Sequence, residues 1–596
     1  MTSFANSARL ESCAAFDRGT SCRSHLVCRG FAFVFIALMA VAASSAAVAQ
    51  IAPSQVTPET LRPSTPGARS GIALPATPEL RAPSGAERLN VRVGRVTVEG
   101  GFPELATATQ ALLPQVEGRR VSVAAVYAFA NALEQAYAAA GYVLARVVIP
   151  PQHLRDGGAV RLLVVDGYIE AVDVANVPDR ARAVVAARMA SLVGARHLTL
   201  AEIERRLLIA GDTPGLRLKS TLARGVRDGG TTLVLEGTHR LLTGSIGIDN
   251  RLDATLGRWQ LNGNLALNSP FGFGEQFYGA IGSGTDLGQA FGDDARLRLY
   301  GGGAVIPLGV DGWTLNPEYT RSQTQPRPLL GAPATRGTFE RLALRSSYQL
   351  IRNRAQALSL DVAFEAIRQD TEALGFGVDL SRDRYSVLRI GTTYGTALPW
   401  GTAIQAGATF SQGLGGRSRV DAVASLVPLS RFGGEPDFSK VAGDLRLTQP
   451  LPLEMRLDLT AKAQLAFNQP MLSSEQFSLD GLDQVSAFAA GSLNVDQGAT
   501  LRGELARPFA FAHEGWSATL TPYLFASGGR GEILLPTAVE QAWLSAAAFG
   551  AGLRIAGDVA HGTATPAVNL EVGRRFTNVP GEREGWRGNL AVSVRF

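Results

Sequence analysis

From about residue 240 to the end of the chain, apolar and polar positions alternate in short segments. Examples are LSLDVAFEAI (358–367), MRLDLTAKAQLAF (455–467), AAFGAGLRIAG (547–557) and PAVNLEVGRRF (566–576). One set of alternate positions holds Leu, Val, Phe or Ala; the other mixes Asp, Thr, Lys, Glu and Gly. Side chains on a strand point to opposite faces in turn, so this period predicts strands with one apolar and one mixed face. Helical spacing is almost missing from the zone, and polar, Gly-rich or Pro-rich loops of uneven length separate the segments. A soluble sandwich would turn an apolar face inward. A membrane barrel turns its apolar face to lipid and keeps a polar lumen, which is the pattern here. The chain closes on NLAVSVRF, where Leu590, Val592, Val594 and Phe596 alternate with Asn589, Ala591, Ser593 and Arg595. Termini are usually polar and frayed. A bulky aromatic on the last residue fits a strand that closes a membrane barrel, paired on both edges and facing lipid, and equally a buried last strand of a soluble sandwich.

Between about 89 and 239 the pattern is mixed. VRVGRVTVEG (91–100) alternates like a strand, and VAAVYAFANALEQAYAAAG (123–141) has helical spacing and stops at Gly141, a good C-cap residue. YVLARVVIP (142–150) and AVRLLVVDG (159–167) read as strands joined by a turn containing RDGG. The series recurs as strand YIEAVDVAN, helices near 178–193 and 199–211, strand LRLKSTL, a second RDGG and strand TTLVLEG. The turns Arg155–Gly158 and Arg227–Gly230 lie 72 residues apart (227 − 155). Asp-Gly alone is a common hairpin signal. Similar turns with matching elements around them predict tandem copies of a small β-α-α-β-β domain, at 89–167 and 168–239.

The N-terminal part predicts a route rather than a fold. GFAFVFIALMAVAA (30–43) follows Arg23 and Arg29 and precedes small residues, with Ala47-Val48-Ala49 as a cleavage site before Gln50. That is a secretory signal over 1–49, too short for a comfortable membrane span. Prolines 53, 58, 63, 66, 75, 78 and 83 make 50–88 an extended, semi-stiff linker. All three cysteines, Cys13, Cys22 and Cys28, fall inside the leader, so residues 50–596 offer neither disulfide nor thiolate. The formal charge is +5, of which the leader supplies four Arg minus Glu11 and Asp17, leaving +3. That is too weak for a nucleic-acid partner. His153, His197, His239, His513 and His561 are scattered without metal-ligand spacing. The glycines of GFGEQF and GAIGSG (279–284) precede no helix and read as strand and turn glycines, not a phosphate loop. No serine sits in a nucleophile elbow. No catalytic residue, cofactor site or metal site is assigned.

Two small α+β domains before a barrel ending in Phe resemble the two-partner secretion transporters, the haemolysin and filamentous-haemagglutinin secretion proteins of the Omp85 superfamily. Local motifs carry the resemblance over about 90–596. IDNRLDATLGRWQLNGNLALNSPFGFGEQ (248–276) is similar to the family's first barrel strands, and LSSEQFSLDGLDQVSAF (472–488) to the segment leading into its long sixth extracellular loop. DQGATLRGELARPF (496–509) and TPYLFASGGR (521–530) resemble the two strands behind that loop. The resemblance implies an all-β transmembrane barrel of 16 antiparallel strands at 240–596, preceded by two POTRA-like domains in the periplasm. Five strands can be placed behind the loop, near 499–510, 516–528, 542–556, 563–577 and 587–596. Eleven remain for 241–476, as strands of about 9–11 residues plus connections. Phe596 then belongs to the signal read by the barrel-assembly machinery, and outer-membrane lipid surrounds the barrel.

Two departures stand out. The family loop tip is Val-Arg-Gly-aromatic; here it is Val485, Ser486, Ala487 and Phe488. The family strand carries Phe-x-Asp-x-Gly; here Phe525 and Gly529 flank Ser527. The family's arginine and aspartate meet inside the barrel, and this chain lacks both. Removing one partner of a buried pair costs about 3–5 kcal/mol, whereas replacing both can be neutral, so joint loss is expected of a chain that kept folding. The loop tether should be weaker or differently made. Asp480 also replaces a usual glycine. The implied function is export of a large, haemolysin- or adhesin-like partner exoprotein across the outer membrane. A barrel-assembly insertase, a porin-like barrel and a structural outer-membrane protein are the alternatives.

Overall fold

The structure, a computed structural model, describes Leu61 and residues 80–596, apart from 286, 287, 290, 291, 293, 329, 330, 560–562, 580, 581 and 583. The segment expected to be a secretory signal (1–49) and most of the Pro-rich segment (50–88) lie outside the described residues.

The segment read as one strand at 91–100 is broken into Asn90–Arg92 and Arg95–Glu99. Gly94 sits at the break, where a Cβ would lie 2.1 Å from the Gly157 carbonyl oxygen of the first RDGG turn. The two halves serve different partners: Asn90–Arg92 pairs with Arg120–Ser122, and Arg95–Glu99 runs parallel to Ala159–Val165. Helix Val123–Ala139 starts on Ser122, whose side chain accepts from the Ala125 amide. Its Phe129, Leu133 and Tyr137 bury against Val160, Leu162 and Val164 of the sheet. Only Arg146–Val148 of the expected strand 142–150 pairs, giving the sheet order 95–99, 159–165, 146–148.

Residues 168–239 repeat the arrangement. Helices Asp179–Met189 and Leu200–Gly211 cover a sheet ordered Tyr168–Asn176, Gly230–His239, Leu216–Arg224. Thr199 and Glu202 form a capping box that starts the second helix. Both RDGG turns place their first glycine at positive φ, 77° for Gly157 and 71° for Gly229, a conformation glycine adopts without strain.

The rest of the chain closes into a barrel of sixteen antiparallel strands. They are β1 Leu242–Asp249, β2 Gln260–Asn268, β3 Gln276–Gly284, β4 Leu297–Leu308, β5 Trp313–Thr324 and β6 Thr335–Arg352. Then come β7 Gln356–Ala373, β8 Val378–Ala397, β9 Ala403–Gly416, β10 Ser439–Pro450 and β11 Arg456–Leu465. After the long loop follow β12, β13 Trp516–Glu532, β14 Trp543–Val559, β15 Thr565–Thr577 and β16 Gly585–Arg595. Strand β12 is in two parts, Gln497–Ala506 and Phe509–His513, either side of Pro508, which has no amide hydrogen to give the ladder.

The apolar phase of each strand faces outward: Leu342, Phe364, Leu465, Leu501 and Leu524 are exposed side chains with lipid as their solvent. Strands β6, β7 and β8 run 18, 18 and 20 residues, well beyond the expected 9–11. They cross the membrane and continue outside it as sheet. The barrel closes where β16 meets β1 over five paired positions, Ala591–Arg595 with Asp249–Ser245, against eleven between β15 and β16. Phe596 extends this short seam by two bonds, donating its amide to Gly244 O and accepting from Gly244 N, each 3.0 Å.

The second module is fixed to the barrel rim. Arg205 donates to Leu350 O (3.1 Å) and Gln349 O (2.8 Å), and Arg352 grips Asp212 with two bonds of 2.7 and 2.9 Å. Arg180 and Pro270 O add a 2.6 Å contact on the turn after β2. These contacts make the ends of β5–β7 near 313, 352 and 356 the periplasmic ends. Among the described residues no helix is long and apolar enough to cross a membrane; strands do so.

Candidate functional site

Between β11 and β12 the chain folds back into the barrel as residues 466–496. A short hairpin of Phe477–Ser478 with Asn494–Val495 forms its stem. Asp480 ties the tip together. Its carboxylate accepts from the Gly491 amide (2.9 Å), the Leu493 amide (2.8 Å), Ser478 Oγ (2.8 Å) and Ser492 Oγ (3.2 Å). Val485, Ala487 and Phe488 are buried together with Phe525, Tyr523, Leu544 and Ala548 of the wall. Gly573 on β15 leaves room for this approach: a Cβ there would lie 2.9 Å from the Phe525 ring and 3.4 Å from Ala487 Cβ. Gly529 does the same where Leu479 comes near the wall.

Ser486 and Ser527 do not meet; among the described residues no hydrogen bond joins them. Ser527 reaches only Ala548 O, at 3.4 Å. Ser486 instead sits on an ion pair that belongs wholly to the wall. Arg502 of β12 donates to Ser486 Oγ (2.7 Å), Ser486 donates to Glu571 of β15, and Arg502 pairs with that same Glu571. Arg502 lies directly across the strand pair from Ser527, on the wall rather than on the loop. A neutral hydroxyl on the tip bridges two wall charges. The pair is embedded further. Arg502 also binds Glu504 (2.7 Å) and lies 4.2 Å over the Phe525 ring, Tyr523 OH donates to Glu571 (2.9 Å), and Arg554 holds Glu504 (2.7 Å). Asn589 of β16 donates to the Ser486 carbonyl (2.7 Å), linking the tip to the last strand.

Two further anchors hold the loop at its base. Glu475, 1 % exposed, receives Arg389 of β8 (2.7 Å), Lys440 of β10 (2.8 Å) and Tyr385 OH (3.0 Å). Behind it the chain of charge continues through Glu365, Arg345 and Glu318 across the lumen wall. Asp496 accepts from the Met471 amide (3.1 Å) and the Leu534 amide (2.7 Å) and faces Arg431 (3.4 Å). Sequence reasoning missed Arg502, Glu571, Arg389, Lys440 and Glu475. Their one signal was a charge on the lumen phase of a strand or, for Glu475, within the loop. Phe596 ends on the outward phase at the seam. The described residues contain no group of His, Cys, Asp or Glu arranged to hold a metal ion.

A closed sixteen-strand barrel that seats its own loop in a charged lumen, with an α+β module fixed to its periplasmic rim, defines an outer-membrane transporter of the kind preceded by a POTRA domain. The chain belongs to the haemolysin secretion/activation protein family ShlB/FhaC/HecB, which it matches over residues 229–555, more than half its length. Residues 91–167 match the ShlB-type POTRA domain. The outer membrane transporter CdiB of Escherichia coli O6:K15:H31 is 23% identical over 506 residues, covering 79% of this chain and 76% of that protein. The hemolysin transporter protein ShlB of Serratia marcescens is 25% identical, covering 70% and 72%. In fold, CdiB from Escherichia coli superposes with a TM-score of 0.67 at 19% identity, over 87% of this chain and 93% of that one. The protein is an outer-membrane transporter of two-partner secretion, with its POTRA region on the periplasmic side.

Proposed function

We propose that the protein captures one large exoprotein by strand addition on the free sheet edge Leu216–Arg224 and passes it, extended, through the lumen once loop 466–496 yields. The observation that carries this reading is the state of the sheet edges. In the first module both edges are capped by carboxylates: Glu117 accepts from the Val96 amide (3.2 Å) and Glu134 from the Val147 amide (2.9 Å). In the second module the edge strand Leu216–Arg224 is nine residues long and meets no such cap among the described residues, whereas the opposite edge, Tyr168–Asn176, is bridged at Ile169 by Val193 and the Gly194 amide. It also begins at the barrel mouth, since a Cβ on Gly215 would lie 2.8 Å from Asn268 Cβ of β2. Strand addition draws on backbone amides and carbonyls and asks little of the partner's sequence. A strand added there is delivered to the rim.

Export on this reading needs no catalytic step, cofactor or nucleotide; the partner's folding outside makes it irreversible. Phe596 is assigned to recognition by the barrel-assembly machinery, and the outward apolar phase to contact with outer-membrane lipid. Residues 168–239 are assigned as the second POTRA domain and 240–596 as the barrel domain. Because residues 50–596 carry no cysteine, single cysteines can report capture. Thr221→Cys, on the free edge, should cross-link to the partner's N-terminal region, and Thr97→Cys, on a capped edge, should not. The yield should hold from low to physiological salt, because backbone pairing is weakly screened. Equal cross-linking at both sites, or loss of the Thr221 product with salt, would overturn capture at this edge.

A further inference from the structure

The long strands β5–β8 carry a second site on their outer surface, away from the lumen. In-register positions on the outward phase form rows around the barrel. Pro317, Leu344, Phe364 and Leu388 make one apolar row, and Tyr319, Leu342, Ala366 and Ser386 the next. One step further from the periplasm the row is Arg321, Glu340, Arg368 and Arg384. Beyond it stand Thr338, Asp370 and Arg382, then Arg336 with Glu372 and Asp379. The outward phase thus changes from apolar, but for Ser386, to fully charged within one row on four adjacent strands.

The height of that change fits the membrane surface. From exposed Leu350 at the periplasmic end of β6 to Glu340 is ten residues (350 − 340). That is roughly 33 Å along a strand and roughly 25 Å along the normal at a 40° tilt, the height of a barrel's apolar band. The charged rows surround a cleft of about 370 Å³.

The arginines there are oriented by their neighbours. Arg321 meets Glu340 (3.2 Å), Arg384 meets Asp370 (2.6 Å), and Arg382 is shared between Asp370 and Asp379. Arg368, exposed in the middle of the lowest charged row, has no ion-pair or hydrogen-bond partner among the described residues. A free guanidinium flanked by preset ones, one row above lipid-facing Leu342 and Ala366, matches an amphiphile with a phosphorylated head. Guanidinium forks bind phosphate with paired charge-assisted bonds.

We propose that this cleft binds the phosphorylated headgroup of the glycolipid in the outer leaflet, its acyl chains lying on the apolar rows below. Bound lipid would pin the extramembrane ends of β5–β8, the strands whose lumen side holds the charge chain leading to Glu475. The site is independent of partner capture. The test uses full-length protein, purified and delipidated in neutral detergent. It is titrated with bisphosphorylated lipid A, with lipid A stripped of phosphate, and with inorganic phosphate, following the heat-modifiability midpoint. Wild type should be stabilised by bisphosphorylated lipid A, and the combined variant Arg321→Gln, Arg368→Gln, Arg384→Gln should bind it at least about tenfold more weakly. Arg368→Gln alone, which breaks no hydrogen bond or ion pair among the described residues, should give part of that loss. Equal stabilisation by dephosphorylated lipid A would show that the apolar rows alone bind, and an equal response to inorganic phosphate would show a general anion site. Either result, or an Arg368→Gln protein titrating like wild type, overturns the proposal.

Discussion

The contact of Ser486 with the Arg502–Glu571 pair can be measured as a coupling energy. Ser486→Ala removes a hydroxyl that gives one hydrogen bond to Glu571 and takes one from Arg502. Glu571→Gln removes the charge but keeps the size of the side chain. Arg502 then retains Glu504 at 2.7 Å and the Phe525 ring at 4.2 Å, so it is not left bare. Breaking a fully uncompensated buried pair costs about 3–5 kcal/mol. With those two partners retained, Glu571→Gln should cost about 2 kcal/mol. A buried hydrogen bond to a charged group contributes about 1.5–3 kcal/mol, and lumen water reduces that, so the Ser486–Glu571 coupling should be about 1–2 kcal/mol. The assay is a double-mutant cycle on equilibrium unfolding of the refolded barrel in denaturant, with Ser486–Ser527 as the comparison cycle. The comparison should give no coupling beyond about 0.5 kcal/mol, the limit of ordinary additivity. The reasoning is refuted if Ser486 and Glu571 behave additively, or if coupling is found between the two serines.

Glu475→Ala leaves Lys440 without a carboxylate and Arg389 with Glu365 and the Ser411 hydroxyl, so the loop base should loosen by about 3 kcal/mol. Single-channel recording in planar bilayers should show more frequent or larger openings than wild type, and an unchanged conductance record would count against Glu475 as an anchor. Deleting Phe596 removes both bonds to Gly244 at a seam of five paired positions. Folded, heat-modifiable protein in outer-membrane fractions should fall more than total synthesis does, and equal folded yield would contradict the role given to this residue. At the joint between the two modules, Glu104 accepts from Tyr142 OH (3.0 Å) and lies 3.2 Å from the His197 imidazole, which stacks on Phe102. Its own backbone amide first, then Tyr142, hold its carboxyl below the usual range. A depressed carboxyl stabilises the joint above its unfolded value and ceases to as pH falls through the folded one. The distance between labels on single cysteines in the two modules should therefore stay constant at neutral pH and broaden only below the ordinary carboxylate range. Broadening above that range would contradict the assignment.

The barrel was legible because lipid enforces an apolar phase on every strand, and Leu360, Val362 and Phe364 or Leu457, Leu459 and Leu465 show it without any partner in view. The two modules were legible from repetition, since Arg155–Gly158 and Arg227–Gly230 mark the same turn twice. The length of β6–β8 was not. Above the membrane the outward phase becomes Arg336, Glu340, Arg368 and Asp370, and a charged outward phase reads as loop. The break at Gly94 was hidden because both halves alternate alike, and a tertiary contact with Gly157 decides it. Resemblance pointed to Ser486 and Ser527 as altered positions, yet it could not supply their replacements. Arg502 and Glu571 are 69 residues apart, and a charge on the lumen phase is ordinary in a wet barrel. Their pairing depends on strand register, which no single strand encodes.

The most direct test of the central claim is secretion itself. The coding sequence would be deleted and then restored, and proteins released into the medium compared across the three strains. Export of a large partner by this transporter predicts that one large exoprotein disappears from the medium on deletion and returns with the wild-type chain. The same chain lacking residues 89–239 should reach the outer membrane but not restore release. An unchanged set of secreted proteins, or full release by the truncated chain, would contradict it.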